Sequence, residues 1–477
     1  MKQATTDTLA SKFKGTIVRP EDPQYDTVRK VYNGMIDKRP AIIAICADTA
    51  DVIAGVNFAR ENEMLLAIRS GGHNAGGLGI CDGGLVIDLS AMKAVNFNAE
   101  DRTAQVKGGC LLKEVDEALH VFGRAVPSGI FGTTGIAGLT LGGGLGHLTR
   151  HYGLSIDNLI EVEIVLASGE LTTASATKNP DLFWAIRGGG GNFGVVVSFK
   201  FKTVPVHTVY GGPMLWDITE SEERMTWFHD YLSHAPDHIN GFFAFLVVPA
   251  VEPFPPELHS KKMCGIVWCY TGDPEEAETF FAPIRNFKKP ALDFVGTIPF
   301  PALQTMFDAF YPPGLQWYWK ADFVKDLGRE AIALHAQFGN SMPHGLSTMH
   351  LYPINGAASR ITKTDTAWNY RNCNYACVMV GVDADPTNKE PVINWAKEYW
   401  QALHPYSEGG AYVNFMMEEG DERVKASYGD NYERLSIIKA KYDPQNLFRV
   451  NQNITAKVQQ NQPVSESGEP VDQQSGD

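Results

Sequence analysis

Arg69-Ser-Gly-Gly-His73 and, further along the chain, Thr133-Thr-Gly-Ile-Ala-Gly-Leu-Thr-Leu-Gly-Gly-Gly-Leu-Gly146 decide how this sequence is read. The first stretch puts an imidazole on a glycine turn at the end of an apolar run, Leu65–Arg69. The second is a length of backbone with few bulky side chains, able to press against a large, flat, anionic ligand. Glycine permits that approach because it has no Cβ.

Outward from this pair, strands and helices alternate over the first 205 residues. Ala41–Cys46, Leu85–Leu89, Thr103–Val106, Val162–Ala167 and Val195–Phe201 read as strands. Asp48 is placed to cap a helix from Ala50 to Glu61, and Gly123 to end one over Leu111–Phe122. Pro180–Arg187 reads as a short helix capped by Asn179, with Pro180 in its first turn. Val204-Pro-Val-His207 marks a boundary. Beyond it come the aromatic-rich runs Phe242–Val248, Cys264–Tyr270, Trp317–Phe323, Thr348–Tyr352 and Tyr375–Val380, separated by acidic helices. The expectation is an α+β chain, with an antiparallel sheet covered by helices in its second domain. Domain boundaries are set at 1–207, 208–405 and 406–456. The last segment returns to the first domain, and a disordered polar tail follows over 457–477.

With 477 residues, 44% hydrophobic and 20% charged, the composition is that of a globular protein of two domains. A net charge of −14 argues against nucleic acid and anionic membranes as partners. No run of 18 apolar residues is present, and the first 15 residues lack the apolar core of a secretory signal, so a cytoplasmic location is expected. The seven cysteines are odd in number and scattered, as suits reduced core thiols.

Several motifs have two readings. Gly189-Gly-Gly191-Asn-Phe-Gly194 matches a dinucleotide fingerprint in letters, but a helix precedes it and a strand follows, the reverse of what that site needs. It is read as a tight turn. Gly142-Gly-Gly-Leu-Gly146 precedes an expected helix, His147 to Tyr152, and is either an anion nest for a pyrophosphate or a packing corner. His147 and His151 stand four apart but lack a third ligand, so no metal is expected.

Five motifs in order carry a resemblance: Arg69–Asn74, Thr133–Gly146, Tyr152-Gly-Leu-Ser-Ile-Asp-Asn158, Leu182–Gly194 and Tyr442-Asp-Pro-Gln-Asn-Leu-Phe-Arg-Val-Asn-Gln-Asn453. Over residues 16 to 455 the chain resembles the vanillyl-alcohol-oxidase, or PCMH-type, flavoproteins, in their berberine-bridge-enzyme-like branch. The resemblance implies a two-domain PCMH-type FAD-binding fold and FAD joined to His73 by a single 8α-histidyl bond. It implies FAD contacts from Arg69, Ser70, Gly71, Gly72, His73, Asn74 and Gly77, and from Gly129, Thr133, Thr134, Gly135, Gly138 and Leu139. Further contacts are implied from Gly142, Gly143, Gly144, Gly146 and His147, and from Asn158, Val195, Asn451 and Asn453.

Two departures matter. Gly129-Ile-Phe131-Gly-Thr-Thr-Gly135 has Phe131 where doubly bonded relatives carry a cysteine, so one covalent bond is expected. The glutamate base of the plant enzymes is expected near Arg360 and is missing there. Phenols are then the candidates: Tyr412 in Gly410–Phe415, and Tyr428 or Tyr432 in Ser427–Tyr432, either as base or as lining. Tyr318 and Lys320 share one strand face, and His350 and Tyr352 share another; each pair could bind substrate polar groups or be ordinary sheet. Thr134 is small and polar where relatives control oxygen access. The expected function is an FAD-dependent oxidase. It would take a hydride from an alcohol, an amine or an activated C–H of a small molecule, with dioxygen as acceptor. A dehydrogenase, an oxygenase and a non-catalytic flavin-loaded binding protein are the alternatives. The oligomeric state is not legible.

Overall fold

The computed structural model describes residues 9–343 and 345–457. Residues 458–477 of the expected tail lie outside them; Lys457 is described, its backbone N–H bonded to Ser436. Among the described residues no helix is long and apolar enough to cross a membrane.

The chain before residue 208 forms two sheets. In the first, the order is Thr16–Val18, Ile42–Ile45, Leu85–Asp88, Leu66–Arg69, with the last three strands parallel. Asp48 caps the connecting helix Thr49–Glu61, accepting from the backbone N–H groups of Ala50 and Asp51. The second sheet is antiparallel, ordered Val95–Asn98, Thr103–Lys107, Val195–Lys202, Leu159–Val165, Leu171–Ser175.

From Thr208 onward an eight-stranded antiparallel sheet is built. Beside Thr208–Asp217 run Lys262–Tyr270, Ile239–Val247, Thr348–Pro353, Tyr375–Asp383 and the edge strand Gln316–Val324, each beside the next. These strands are apolar on both faces because both faces are covered. One face carries Phe243, Phe245, Trp268, Tyr375 and Cys377 and packs under the helices Ser221–His234, Arg329–Ser341 and Lys389–Leu403. The opposite face carries Phe242, Trp317, Tyr352, Val378 and Val380 and shares a core with Ile136, Leu141, Leu145 and Tyr412. The site lies between this second face and the first domain.

Near the C-terminus the helix Tyr432–Tyr442 packs on the helix Pro180–Ile186. Lys439 and Asp443 form a fully buried ion pair at 2.5 Å. Lys439 Nζ also donates to the carbonyls of Asn192 and Phe448. Such a pair is tolerated only with its remaining hydrogen-bonding capacity satisfied.

Three local expectations are corrected. Asn179 does not cap its helix: it sits at φ +49° and its amide donates to Thr173 O instead. The helix after the glycine run is only Thr149–Tyr152. A helix that the glycine content concealed, Ile136–Gly142, runs through the motif itself, burying Ile136, Ala137, Thr140 and Leu141.

Candidate functional site

The strand Leu66–Arg69 delivers the chain to the turn at its end. Arg69 lies beside Asp88 in the parallel ladder. Its guanidinium folds onto that carboxylate, Nε at 3.0 Å and Nη2 at 2.6 Å, with both side chains almost wholly buried. Gly72 follows at φ +66°, a left-handed conformation natural to glycine.

The two diagnostic motifs touch backbone to backbone. A Cβ added to Gly71 would lie 2.3 Å from Gly135 N, and one added to Gly135 would lie 2.3 Å from Gly71 N. This contact sets Thr133 Oγ1 2.8 Å from His73 Nε2. Tyr32 stacks on the imidazole, ring centroids 3.7 Å apart at 21°. Burial without a counter-charge pulls the His73 pKa down to about 3, so the ring is neutral at pH 7. Nδ1 has no protein partner among the described residues. It carries the ring's lone pair when Nε2 donates to Thr133 Oγ1.

Ser70, Gly71, Gly72, His73 and Asn74 donate their backbone N–H groups to no protein acceptor among the described residues. Consecutive unclaimed amides make an anion nest, and a pyrophosphate suits it. The nest is therefore at the first motif. Of the two readings of Gly142–Gly146, the structure favours the packing corner over the nest: there Gly143 N–H bonds to Thr140 O, Gly144 N–H to Tyr412 Oη and Gly146 N–H to Thr149 Oγ1. A Cβ on Gly142, Gly143, Gly144 or Gly146 would run into Asn414, Trp368, Ser155 or Ser128, so these glycines serve a packing corner. Gly138, by contrast, has nothing within 4 Å of its Cβ position and presents bare backbone to the cavity.

The cavity is open at its mouth and has a volume of about 270 Å³. It runs from the His73 turn past Gly129, Gly135, Gly190 and Val195 to an aromatic lobe of Phe131, Tyr311, Trp317, Trp319, Tyr352 and Phe415. Glycine walls and nest together fit an FAD. Its lining contains no Asp, Glu or Lys, and its one guanidinium is Arg69, already paired with Asp88.

Of the residues singled out from sequence, Arg69 through Asn74, Gly129, Thr134, Gly135, Gly138, Leu139, Val195, Tyr412, Tyr428 and Asn451 line this cavity. Thr133 reaches it through His73. Others are placed elsewhere. Gly77 turns against Ile36, while its neighbours Leu78 and Gly79 line the wall. His147 is buried against Phe242, and Asn158 braces Tyr152 and Leu154. Gln452, not Asn453, faces the cavity, its amide held by the Met416 and Met417 carbonyls.

Lys320 is on the wrong face of its strand. It pairs with Glu419 at 2.6 Å and lies over Trp400 beneath the helical layer, while Trp317 and Trp319 point into the cavity. Tyr318 follows Lys320 to that side. Arg360 is exposed and paired with Asp237, outside the cavity, so a base is not to be sought there. Tyr428 is locked, its one hydroxyl hydrogen shared between the carbonyls of Gly189 and Gln452. Tyr432 contacts Thr455 at the surface. Sequence reasoning missed Tyr32, Asn192, Tyr311 and Gln452. Only the alternation Trp317-Tyr-Trp-Lys320 hinted at the Trp317 and Trp319 face.

Comparison with known proteins agrees with this geometry. Residues 40–175 match the family described as FAD binding domain, and residues 411–455 that described as Berberine and berberine like. The FAD-linked oxidoreductase YgaK of Bacillus subtilis is 32% identical over 453 residues, covering 93% of this chain and 97% of its own. The chain belongs to the berberine-bridge-enzyme-like FAD-linked oxidoreductases. Another relative is the (R)-6-hydroxynicotine oxidase of Paenarthrobacter nicotinovorans, 27% identical over 93% of this chain and 97% of that one. Among solved structures, Physcomitrella patens BBE-like 1 superposes with a TM-score of 0.83 at 25% identity, covering 95% of this chain and 99% of that one. This FAD-linked oxidoreductase is thus an enzyme of the two-domain PCMH-type fold, with one cavity shared by cofactor-facing glycines and an aromatic sheet.

Proposed function

We propose that this chain is an oxidase that holds FAD through one covalent bond to His73 and oxidises an uncharged small organic molecule, with dioxygen as the electron acceptor and hydrogen peroxide as product. The observation that carries this reading is the cavity itself: a neutral, half-open imidazole at one end, a continuous aromatic lobe at the other, and no carboxylate or ammonium between. When bound, the flavin accepts a hydride from a substrate C–H bond and passes the electron pair on.

The protein's own part is positioning. The Arg69–Asp88 pair fixes the turn, the amides of Ser70–Asn74 take the pyrophosphate, and Thr133 and Tyr32 hold the His73 ring. Phe131 fills the place of a second anchor, packing 6.5 Å from the His73 ring and 5.8 Å from Tyr311. Trp317, Trp319 and Tyr352 exclude water and favour flat or apolar substrates. A substrate with a permanent charge has no partner in this lobe, so neutral alcohols are preferred to ammonium compounds. Thr134 lines the cavity, and the small side chain there supports dioxygen as the acceptor.

Anaerobic mixing with a panel of D-glucose, cyclohexanol, a cyclic amine and 4-methoxybenzyl alcohol tests the reading. The uncharged alcohols are expected to bleach the flavin, and air is then expected to restore its colour within seconds with one peroxide per turnover. Reduced enzyme that stays bleached in air for minutes would contradict the oxidase assignment.

A further inference from the structure

The strand Thr348–Pro353 turns Thr348, His350 and Tyr352 toward the cavity. The direction of each hydrogen bond along this row follows from one end. A carbonyl can only accept, so Thr348 Oγ1 donates its single hydrogen to Phe245 O at 2.6 Å. Thr348 Oγ1 must then accept from His350 Nε2 at 2.9 Å. His350 is buried and neutral, its pKa pulled down to about 3 by desolvation. A neutral ring has one N–H, here on Nε2, so Nδ1 presents a lone pair. Tyr352 Oη, 2.6 Å away, donates to it. The Tyr352 hydrogen is committed to a base, and its oxygen takes no donor from protein among the described residues.

Tyr412, another phenol lining the cavity, is wired in the opposite sense. Gly144 N–H donates to its oxygen at 2.9 Å and Asn414 Nδ2 at 2.7 Å. The Asn414 amide is fixed in that orientation because its nitrogen also reaches Leu139 O at 3.0 Å. Both lone pairs are occupied and the hydroxyl hydrogen has no protein acceptor among the described residues. Tyr412 is a donor; Tyr352 is an acceptor.

We infer that Tyr352 is the proton acceptor of the oxidation, with His350 behind it as a positioning residue and transient proton relay held by Thr348. This inference rests on the oxidase reading. For an alcohol the step balances as follows. The C–H bond breaks and its hydrogen leaves with the electron pair to the oxidised flavin. As the hydride departs the hydroxyl becomes more acidic than the His350 imidazolium, and only then does the O–H bond break, its proton going to Tyr352 Oη while the proton of Tyr352 moves to His350 Nδ1. A C=O bond forms. The released proton and the hydride equivalent together reduce dioxygen to hydrogen peroxide. No phenolate is required, so flavin reduction is expected to be independent of pH between 6 and 9. A phenolate base would instead make it rise about tenfold per pH unit.

Two measurements on the holoenzyme test this. With 15N-labelled histidine, His350 is expected to show a proton on Nε2 and a hydrogen-bonded, unprotonated Nδ1. The signals should vanish in His350→Gln, and Nδ1 should shift in Tyr352→Phe. A proton on Nδ1, or on both nitrogens, overturns the assignment. In anaerobic bleaching by 4-methoxybenzyl alcohol, cyclohexanol or D-glucose, Tyr352→Phe is expected to lose about a hundredfold in rate at unchanged flavin content. His350→Gln is expected to lose rate at pH 7 and to acquire a steep rise with pH. A Tyr352→Phe rate within threefold of wild type, or a wild-type rate climbing with pH, overturns the proposal. If no compound bleaches the wild type, the oxidase reading fails, while the histidine spectrum still decides the direction of the Tyr352–His350 bond.

Discussion

Replacing Gly71 by alanine puts a methyl group 2.3 Å from Gly135 N and 2.8 Å from Gly135 Cα. Both obstacles are backbone, so no rotamer change relieves them. A normal contact requires the two loops to part by about 1 Å. The same movement stretches the His73–Thr133 hydrogen bond from 2.8 Å to beyond bonding range. Overpacking of this kind costs roughly 1–3 kcal/mol, and the lost hydrogen bond about 1 kcal/mol more. The larger effect is on the cofactor, because a displacement of about 1 Å at a reacting atom can cost about a hundredfold in rate. The assay adds FAD to apoprotein and follows the flavin that stays with acid-precipitated protein. Gly71→Ala is expected to bind flavin covalently about a hundred times more slowly than wild type. Gly296→Ala, with nothing within 4 Å, is expected to match wild type. Covalent incorporation by Gly71→Ala at the wild-type rate would refute the claim that this backbone contact positions His73.

Asp88→Ala leaves the Arg69 guanidinium buried beside an empty site and is expected to lower stability by about 3–5 kcal/mol, read from urea denaturation. Lys320→Met breaks a nearly buried pair with Glu419 that lies off the cavity. It should cost about 3 kcal/mol while leaving the flavin spectrum and bleaching rate unchanged. His147 and His335 are both buried neutral, with pKa values pulled to about 3 by desolvation. The unfolded chain takes up these protons below pH 6.5 and the folded chain does not, so stability present above pH 6.5 is lost as pH falls toward 3. Each imidazole contributes up to about 1.4 kcal/mol per pH unit in that window. The urea midpoint should be the same at pH 7 and 8 and lower at pH 5; an unchanged midpoint at pH 5 would contradict this.

The fold was legible where local chemistry and tertiary packing agree. The Asp48 cap, the strand running into His73 and the change of texture at Val204–His207 all reflect short-range preferences. Misreadings arose where residue type is ambiguous about its use. A glycine is needed both where a ligand approaches and where protein backbones cross. Gly138 belongs to the first kind and Gly142–Gly146 to the second, and only the neighbours Trp368, Ser155 and Asn414, distant in sequence, distinguish them. Strand alternation separated Lys320 from Trp319 but not inside from outside, because the sheet is buried on both faces. Tyr32 carries no local signal; its stacking on His73 exists only once the chain has folded. The hydrogen-bond directions that separate Tyr352 from Tyr412 depend on Phe245, Leu139 and Gly144, which no spacing rule connects to them.

The central claim is a flavin carried by one bond to His73. Mass spectrometry of a protease digest of the yellow protein tests it most directly. The account predicts that the peptide containing His73 carries the flavin mass, that the peptide containing Phe131 is unmodified, and that His73→Ala yields protein whose flavin is released by acid. An unmodified His73 peptide from fully yellow protein would contradict it.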